Sequence, residues 1–371
     1  MRGGEAGGAA PLLLHVFSTF AVGGAQMRFA TLANHFGGAF RHAIVALDGN
    51  VACCSLLDPA LDVRFVPVEA RKGDTLGNRR RFRAVLRALR PDALVTANWG
   101  CIEWAMANTP ALVRHIHMED GFGPEERERQ LPRRVWTRRL LLRGATVMVP
   151  SRVLWRLAAE VWRLPRRGLR YIPNAVDLAR FAVPQRDAAA VPVIGTVAAL
   201  RPEKNIALLI RVFARMRAAM PGMACRLVIA GDGGERAALE RMAAALGVAE
   251  AVTFAGHIGD TPSLYAGFDV YALTSDTEQM PLTVLEAMAA GLPVAATDVG
   301  DVRAMLAQEN GRLVVPVADE AGLAGALAAL VGDARLRAGL GAANRLRAEA
   351  EYGQEAMFAA WRALFSGTLP P

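Results

Sequence analysis

The sequence predicts an α/β protein of two domains, each with a parallel sheet between layers of helices. Three observations carry this prediction. The chain has 371 residues, which suits two domains of ordinary size. Short apolar runs alternate with longer helical stretches, as they do in βαβ units. The alternation stops at a polar stretch punctuated by proline, residues 172–186, and then starts again.

The predicted strands of the first domain are short apolar segments separated by turns and helical stretches. They lie at Leu12–Phe17, Arg41–Leu47, Ala93–Thr96, Leu112–His117 and Ala145–Val149. The first strand is followed by Gly23 and Gly24, and then by Met27–Phe36, which has the apolar spacing of a helix. Repetition of this unit predicts a parallel sheet.

The second domain repeats the pattern with helices that are rich in Ala and Leu. Its predicted strands are Val193–Val197, Arg226–Ala230, Val252–Phe254, Val270–Leu273 and Val294–Ala296. The renewed alternation of strands and helices predicts a second Rossmann-like domain.

These patterns predict a flexible tail over residues 1–10, a first domain over 11–182 and a second domain over 190–350. The boundary is expected within the polar stretch 178–190. A last helix, Gln354–Phe365, lies beyond the final strand, so residues 351–371 are expected to cross back to the first domain. Two such Rossmann-like domains would face each other across a cleft, with ligands at the carboxyl ends of the strands.

Composition excludes several classes of protein. With 53% hydrophobic residues the chain is not disordered, and no apolar run reaches the roughly 18 residues of a membrane-spanning helix. The segment up to Pro11 lacks the basic region of a secretory signal, although a signal extending through Ala25 is an alternative. Four cysteines without C-x-x-C spacing fit a reducing compartment, so we expect a cytoplasmic protein.

Positive charge is concentrated in the first half of the chain. Residues 1–180 carry 27 basic and 15 acidic side chains, a net charge of +12, whereas residues 181–371 carry 16 and 20, a net charge of −4. This asymmetry predicts an anionic partner: a phospholipid surface, a lipid-pyrophosphate acceptor or nucleic acid. A general bias toward arginine, 41 Arg against 2 Lys, is the alternative explanation, and an aromatic content of only 6% argues against nucleic acid.

The arginines are densest in two segments, residues 79–90 and 133–143. In the second segment Trp136 and Leu140 lie four residues apart, which places them on one side of a helix. An apolar stripe with cationic flanks could rest on a membrane or on the core of the domain. We therefore include peripheral contact with an anionic membrane, at the inner face of the cytoplasmic membrane, among the expected partners.

The strongest functional motif is the segment 274–294, T-S-D-T-E-Q-M-P-L-T-V-L-E-A-M-A-A-G-L-P-V. Pro281 suits the first position of a helix, and a glycine ten residues later suits the position after its last turn, which predicts a helix of about ten residues. The unbonded amides around Leu282, Thr283 and Val284 then form an anion site at the positive end of the helix.

Charged side chains accompany this anion site. Glu278 lies just before the helix, where its carboxylate can accept hydrogen bonds from the hydroxyls of a sugar, and Glu286 can bind both hydroxyls of a ribose. Arg201 and Lys204 follow another predicted strand, and two cations three residues apart at a strand end can bind a diphosphate. Lys204 is one of only two lysines, so the arginine bias does not explain it.

Together these motifs resemble the signature of retaining glycosyltransferase family 4, whose members have the two-domain GT-B architecture. Glu278 and Glu286 match its paired glutamates, separated by seven residues, and the continuation A-M-A-x-G-x-P-V also matches. Arg201 and Lys204 resemble its R-x-x-K pair, which stabilises the diphosphate leaving group. The resemblance implies transfer of a sugar from a nucleotide-diphosphate sugar to an acceptor hydroxyl, with retained configuration and without a metal ion or other cofactor.

The resemblance also implies functional residues in the first domain. Gly23 and Gly24 resemble the glycine loop that contacts the donor, and a histidine at a strand end lies near the reacting centre of the family. His117 is our choice for that histidine and His115 is the alternative; a buried structural histidine is the competing interpretation. With Glu119 the two histidines could mimic a metal site, but no third His or Cys at ligand spacing supports one.

Two turns of the second domain are expected to face the nucleotide base, one at Gly231 and one at His257 and Ile258. Asp120 and the adjacent Glu125 and Glu126 are candidates for contact with acceptor hydroxyls. The expected catalytic residues are Arg201, Lys204, Glu278 and His117, and the expected donor-binding residues are Gly23, Gly24, Gly231, His257, Ile258, Met280, Pro281, Leu282, Thr283 and Glu286.

The chain departs from the family at three places that bear on sugar or acceptor preference. It has N-A-V-D at 174–177 for the usual N-G-V-D, E-Q-M-P at 278–281 for E-G-x-P, and V-G-D at 299–301 for V-G-G. The expected partners are a nucleotide sugar and a sugar or lipid-linked acceptor, in polysaccharide or glycolipid assembly. The alternatives are a nucleotide-sugar epimerase or hydrolase of the same architecture and a non-catalytic module that binds the nucleotide sugar.

Overall fold

The computed structural model describes residues 9–122, 124–126, 129–184 and 191–368. Residues 1–8 of the predicted flexible tail and residues 185–190 of the predicted domain boundary lie outside the described residues. The chain divides into two units. The first unit comprises the residues through Ile172 together with the segment from Phe358, and the second unit comprises Pro173–Met357.

A seven-stranded sheet forms the centre of the first unit. Its strands are β1 Leu12–Phe17, β2 Arg41–Ala46, β3 Val63–Phe65, β4 Ala93–Ala97, β5 Arg114–Met118, β6 Thr146–Val149 and β7 Leu169–Tyr171. The order across the sheet is β3-β2-β1-β4-β5-β6-β7, and every neighbouring pair is parallel. All residues of β1 and β4 are buried, as expected for central strands covered by helices on both faces.

Five helices connect these strands: α1 Gly24–Phe36, α2 Thr75–Leu89, α3 Ile102–Ala107, α4 Pro132–Leu141 and α5 Arg152–Glu160. Side-chain caps begin two of them. Asp74 accepts a hydrogen bond from the first turn of α2, and Ser151 accepts one from the first turn of α5. Helix α1 begins at Gly24 rather than at the predicted Met27, because the carbonyl of Gly23 already accepts the amide of Met27 at 2.8 Å.

A six-stranded parallel sheet forms the centre of the second unit. Its strands are β8 Val193–Val197, β9 Arg226–Ala230, β10 Val252–Gly256, β11 Val270–Leu273, β12 Val294–Thr297 and β13 Val314–Val315, in the order β10-β9-β8-β11-β12-β13. The chain order reverses between β8 and β11. The carboxyl ends of strands at such a switch point are where ligands bind in open α/β sheets.

The helices of the second unit are α6 Ile206–Ala219, α7 Arg236–Ala245, α8 Thr261–Ala266, α9 Leu282–Ala289, α10 Val302–Met305, α11 Glu320–Gly332 and α12 Ala334–Glu351. They bury apolar side chains on both faces of the sheet. Ile194 and Leu227 pack in a cluster with Phe213 of α6, whereas Tyr271 and Leu273 pack in a second cluster with α9. Burial on both faces explains why these strands have apolar runs without alternation.

The last helix, α13 Gln354–Ser366, begins in the second unit and ends in the first. Its buried Trp361 lies under the guanidinium group of Arg28, whose carbon Cζ is 5.6 Å from the ring centroid. The Arg114 side chain donates to the carbonyl of Leu364 at 2.7 Å. Within the described residues, no helix combines the length and the apolar character needed to cross a membrane.

The predicted α/β class with two parallel sheets is confirmed. The prediction missed β3, β7 and β13, which have only two or three residues, and it placed the strand at Leu112–His117 instead of Arg114–Met118. The two units divide at Ile172, ahead of the stretch 178–190 where the sequence predicts the boundary.

Candidate functional site

The strongest grouping of predicted functional residues lies where β8 and β11 end. Lys204 follows β8 and Glu278 follows β11, and the Lys204 ammonium Nζ lies 2.5 Å from Oε1 of Glu278. The hydroxyl of Ser275 donates to the same carboxylate oxygen at 2.7 Å. The side chains of Lys204 and Glu278 are 27% and 12% exposed, so both are ordered by neighbours and still reachable.

The loops that carry this pair are tied together by further hydrogen bonds. The amide nitrogen Nδ2 of Asn205 donates to Oδ1 of Asp276 at 2.8 Å, and the backbone N–H of Asp276 donates to the carbonyl of Glu203 at 2.9 Å. Thr297, at the end of β12, donates its hydroxyl to the carbonyl of Ser275 at 2.6 Å. Three strand ends therefore hold the loop in one conformation.

Gly300 packs closely against the backbone of the loop that carries Glu278. Its φ is +55°, and a Cβ atom there would lie 2.4 Å from the carbonyl oxygen of Glu278. The backbone N–H of the next residue, Asp301, donates to the carbonyl of Gln279 at 2.8 Å. Glycine is required here for close backbone approach, so the departure at 299–301 keeps the residue that the loop needs and changes only its neighbour.

Arg201 lies apart from the Lys204–Glu278 pair. Its side chain is exposed and makes no ion pair or hydrogen bond within the described part of the chain. It occupies the extended position before the turn at Pro202. The structure thus brings Lys204 and Glu278 together and leaves the guanidinium group of Arg201 in solvent.

Helix α9 begins one residue later than the sequence predicts. Pro281 is extended, with ψ of 125°, and therefore precedes the helix, which has eight residues instead of about ten. The amides of Leu282 and Thr283 have no partner one turn back, as at any helix start. The prediction of a third free amide was wrong, because the N–H of Val284 donates to the carbonyl of Pro281 at 3.2 Å.

Met280 and Pro281 are buried, so their side chains face the protein. The Asn174 side chain donates to the carbonyl of Met280 at 2.8 Å. The segment 174–177, where the chain departs from the family motif, is thereby joined to the loop that carries Glu278.

Glu286 lies on α9, and its carboxylate accepts a hydrogen bond from Tyr265. The Tyr265 hydroxyl donates to Oε2 of Glu286 at 2.8 Å and also lies 3.0 Å from the carbonyl of Thr283. Burial raises the pKa of Glu286 to about 7, although the hydrogen bond from Tyr265 and the charge of Arg180 act in the opposite direction. Tyr265 was missed by sequence reasoning, since a tyrosine in the short helix α8 carries no motif.

The turn after β9 requires its glycine. Gly231 has φ of +133°, and a Cβ atom there would lie 1.8 Å from the carbonyl oxygen of Ala198. Its N–H donates to the carbonyl of Gly256 at 2.7 Å, which joins the ends of β9 and β10. In the next turn His257 is exposed and Ile258 is half-buried. Backbone groups and these two side chains line the same edge of the sheet as Lys204.

The glycines at the start of α1 have no packing role of comparable strength. Gly23 is extended and precedes the helix. Gly24 is its first residue, and a Cβ atom added there would meet nothing within 4 Å. The free helix start in front of Gly24 is therefore open to a ligand, and the structure gives no steric reason for glycine at that position.

His115 and His117 lie in a buried row on β5. The hydroxyl of Thr96 is 2.8 Å from Nε2 of His115 and 2.8 Å from Nδ1 of His117, and Nε2 of His117 is 3.5 Å from Glu119. Burial lowers the pKa of His115 to about 3, so this ring is neutral. Both side chains are buried, and the choice between them stays a prediction.

A charged cluster that the sequence did not reveal continues this row. The Arg138 side chain donates to Glu119 at 3.1 Å and to Glu126 at 3.1 and 3.2 Å, and Arg134 donates to Glu126 at 3.0 Å. Arg28 pairs separately with Asp120 at 2.7 Å. Among the described residues, no three His, Cys, Asp or Glu side chains are arranged to hold a metal ion.

The aromatic rings around Arg138 belong to Trp99, Phe122 and Trp162, whose centroids lie 4.9–5.3 Å from its guanidinium carbon. Because α4 turns Arg134 and Arg138 inward, its Trp136 and Leu140 face solvent. Of the two alternatives for this stripe, contact with a membrane or with the domain core, the structure excludes the core. The two arginines are held in the interior by paired carboxylates and aromatic rings.

Comparisons with known proteins agree on one family. Residues 22–180 match the family model described as Glycosyltransferase Family 4, and residues 191–333 match the model described as Glycosyl transferases group 1. A D-inositol 3-phosphate glycosyltransferase of Stackebrandtia nassauensis is 30% identical over 268 residues, which cover 67% of this chain and 59% of the relative.

A GDP-mannose-dependent alpha-(1-6)-phosphatidylinositol monomannoside mannosyltransferase of Mycolicibacterium smegmatis is 33% identical over 200 residues, 49% of this chain and 52% of the relative. The chain thus spans between about half and three fifths of the length of these curated relatives. The crystal structure of Anabaena HepE in complex with UDP has a similar fold, with a TM-score of 0.79 and 18% sequence identity. The superposition covers 96% of this chain and 100% of the HepE chain.

Proposed function

The chain belongs to glycosyltransferase family 4, and from this premise we propose that it transfers a sugar from a nucleotide-diphosphate sugar to an acceptor hydroxyl with retained anomeric configuration. The observation that carries the proposal is the Lys204–Glu278 pair at the switch point of the second sheet. A cation and a carboxylate side by side can bind the diphosphate and the sugar of one donor.

The diphosphate is bound by positive charge from three sources. Lys204 supplies an oriented ammonium group, Arg201 an exposed guanidinium group that can form two parallel hydrogen bonds, and the start of α9 the amides of Leu282 and Thr283. Negative charge grows on the diphosphate as the bond to the sugar breaks, so these groups stabilise the transition state more than the ground state. Since the cations are supplied by the protein, the reaction proceeds without a metal ion.

Carboxylates and backbone groups bind the rest of the donor. Glu278 accepts hydrogen bonds from sugar hydroxyls, and Glu286, supported by Tyr265, accepts those of the ribose. The backbone at Met280 and Pro281 borders the sugar, while Gly231, His257 and Ile258 border the base. In the first unit, the helix start at Gly23 and Gly24 suits a phosphate or sugar.

Bond making and bond breaking occur on the same face of the sugar. The acceptor oxygen forms its bond to the anomeric carbon as the bond from that carbon to the diphosphate oxygen breaks. A phosphate oxygen of the leaving group takes the proton of the acceptor hydroxyl, so no separate general base is needed. The products are the glycosylated acceptor and the nucleoside diphosphate, and configuration is retained.

The acceptor class that we propose rests on the names of the relatives. Their names specify an inositol phosphate and a phosphatidylinositol mannoside, which are acceptors with a phosphate group or a lipid. We extend to this chain a role in glycolipid or polysaccharide assembly on a lipid-linked acceptor at a membrane surface. The net charge of +12 over residues 1–180 supports an anionic acceptor.

The test is a panel of UDP-, GDP- and ADP-sugars incubated with the protein, with and without inositol phosphate or phosphatidylinositol acceptors, and with a chelator present. Release of nucleoside diphosphate that depends on acceptor, persists with chelator and gives a product of retained configuration supports the proposal. Nucleotide release at an equal rate without acceptor indicates a hydrolase, and interconversion of the sugar indicates an epimerase. Donor binding without turnover on any acceptor indicates the non-catalytic module.

A further inference from the structure

Helix α4 buries two of its arginines and exposes two of its large apolar side chains. The side that faces the protein carries Arg134 and Arg138, which are buried and paired with carboxylates. The side that faces solvent carries Trp136 and Leu140, which are 63% and 78% exposed. At about 100° per residue, these two side chains lie about 40° apart around the helix axis. These two side chains therefore form one apolar ridge in water, whereas Val135 and Leu141 of the same helix pack against the core.

Among the described residues of α4, the ridge is accompanied by arginines and by no acidic side chain. Arg133 is exposed on α4 and Arg143 is exposed just beyond its end, and the guanidinium carbon of Arg139 lies 5.0 Å from the ring centroid of Trp136. Helix α4 contains no acidic residue, so its outer arginines have no carboxylate on their own helix to neutralise them. We call Arg133, Trp136, Arg139, Leu140 and Arg143 the α4 face.

A second exposed leucine, on α12, gives a comparison in which the neighbouring arginines are paired with glutamates. Leu346 on α12 is 66% exposed and also lies between two arginines. There, however, Arg345 pairs with Glu349 at 2.6 Å and Arg347 pairs with Glu351 at 3.5 Å, both one helical turn away. The positive charge around Leu346 is neutralised locally, whereas no carboxylate in the described part of the chain pairs with Arg133, Arg139 or Arg143.

We propose that the α4 face docks on an anionic lipid surface, with Trp136 and Leu140 entering the boundary between headgroups and acyl chains. Tryptophan prefers that boundary because its ring is apolar and its N–H is polar. The three arginines would stay at the level of the phosphates, where each adds electrostatic attraction. Their long side chains reach the headgroups while the apolar ridge lies deeper.

The charge of the surrounding unit favours a lipid surface over a protein partner of mixed charge. Residues 1–180 carry the whole excess of positive charge of the chain, and α4 lies among them. The inference deepens the proposed function, since it names the surface on which a lipid-linked acceptor would be reached. Its test measures binding to lipid alone, so the inference and the donor chemistry can fail separately.

The first experiment is sedimentation of the full chain with vesicles of phosphatidylglycerol and phosphatidylcholine, and with vesicles of phosphatidylcholine alone. We expect binding to the anionic vesicles, weakening with salt, and a loss of about tenfold or more in partitioning for the double variant Trp136→Ser, Leu140→Ser. The matched control, Leu346→Ser, should bind as the unaltered protein does. Equal binding by the double variant and the control, or no preference for anionic vesicles, overturns the inference.

The second experiment measures how deeply Trp136 enters the lipid layer. Of the six tryptophans, Trp136 alone is counted as exposed in the structure, so quenching of fluorescence by lipids brominated on the acyl chain reports its insertion. We expect quenching in the unaltered protein and its loss in Trp136→Phe, which should still sediment with the vesicles. Quenching that is the same in both proteins overturns the proposed insertion.

Two further measurements test whether the double variant is still folded and active, and whether the α4 face causes self-association. The double variant should retain the melting temperature of the unaltered protein and its rate of nucleotide release with a water-soluble acceptor, because neither side chain packs in the core. If sedimentation equilibrium without lipid shows self-association that the double variant abolishes, the α4 face is an interface between two copies and the lipid proposal is wrong.

Discussion

The ammonium nitrogen of Lys204 lies 2.5 Å from Oε1 of Glu278, although the two residues are 74 positions apart in the chain. The contact joins the loop after β8 to the loop after β11, two strands that are neighbours in the sheet. Ser275 donates to the same carboxylate oxygen. A lysine held in this way presents its remaining N–H groups in fixed directions, so a diphosphate meets a cation that is already oriented.

Replacing Lys204 by alanine should lower kcat/KM for sugar transfer by about 100- to 1,000-fold, because one oriented donor to the leaving group is lost. The variant should remain folded, since the lysine is partly exposed and Ser275 still binds Glu278. Steady-state rates of nucleotide release and a thermal melt measure the two effects. Lys72→Ala is the matched control, because Lys72 is the only other lysine and is exposed.

Glu278→Gln tests the other half of the pair. The amide keeps the shape of the side chain but removes the negative charge that orients Lys204 and accepts hydrogen bonds from the sugar. We expect a loss of similar size, with a larger share in KM because ground-state sugar contacts also weaken. Unimpaired turnover in both Lys204→Ala and Glu278→Gln would mean that the donor is bound elsewhere.

Glu286 should give donor binding a dependence on pH. Burial raises its pKa to about 7, so the carboxyl group is partly protonated at neutral pH. The charged form binds ribose hydroxyls better, so donor affinity should rise by about tenfold as pH increases from about 6 to about 8. Calorimetric titration of the donor nucleotide measures this. Glu286→Gln should remove the dependence, while Glu309→Gln, at an exposed position, should preserve it.

The same group should make the fold less stable as pH rises. The pKa of Glu286 is higher in the folded chain than in the unfolded chain, so the folded state holds the proton more tightly. Its contribution is therefore favourable below the unfolded pKa of about 4.3 and is lost as pH rises through about 7. In urea unfolding, the stability gained by Glu286→Gln relative to the unaltered protein should increase over that window.

The parts of the site that could be predicted depend on parallel strands and on local spacing. The carboxyl ends of parallel strands meet at one edge of a sheet, so placing Lys204 and Glu278 after two strands is enough to bring them near each other. The exact start of α9 could not be predicted in this way. Proline fits both the first helical position and the position before it, and only ψ of Pro281 distinguishes them.

The sequence alone does not show which side chains pair with each other in the tertiary structure. Arg134 and Arg138 are buried whereas Arg133 and Arg139 are not, yet all four look alike in a run of arginines. Their partners are Glu119 and Glu126, and the sequence does not show which of the arginines reach these carboxylates. Two- and three-residue strands such as β3 and β13 are likewise too short to show periodicity.

Gly231→Ala should destabilise the second unit by about 3 kcal/mol. The new Cβ would lie 1.8 Å from the Ala198 carbonyl oxygen, and φ of +133° is one that alanine rarely adopts. Gly234→Ala, in the same turn, is the control, because a Cβ there meets nothing within 4 Å. Urea unfolding compares the two. A free energy of unfolding that falls equally in both variants would contradict the steric argument.

The buried cluster around Arg138 should be sensitive to loss of charge. Burial opposes ionisation of Glu126, but hydrogen bonds from Arg138 and Arg134 outweigh it and lower the pKa of this carboxyl. The ion pairs therefore persist at neutral pH. The Arg138 guanidinium group also lies against the rings of Trp99 and Trp162, at 5.1 and 4.9 Å from their centroids. Removing it would leave buried carboxylates whose charge nothing else in the cluster can balance fully.

Arg138→Met should therefore lower the free energy of unfolding by about 3–5 kcal/mol, the usual cost of removing one partner of a buried ion pair. Methionine fills most of the space, so the loss reports the unpaired charge of Glu119 and Glu126 and not a cavity. Arg133→Met, on the solvent side of the same helix, should change stability by about 0.5 kcal/mol or less. Adding Glu119→Gln and Glu126→Gln to Arg138→Met should restore part of the loss, because the charges left without a partner are then removed. Urea unfolding at neutral pH measures all four proteins, and equal stabilities of Arg138→Met and Arg133→Met would mean that water already reaches the cluster.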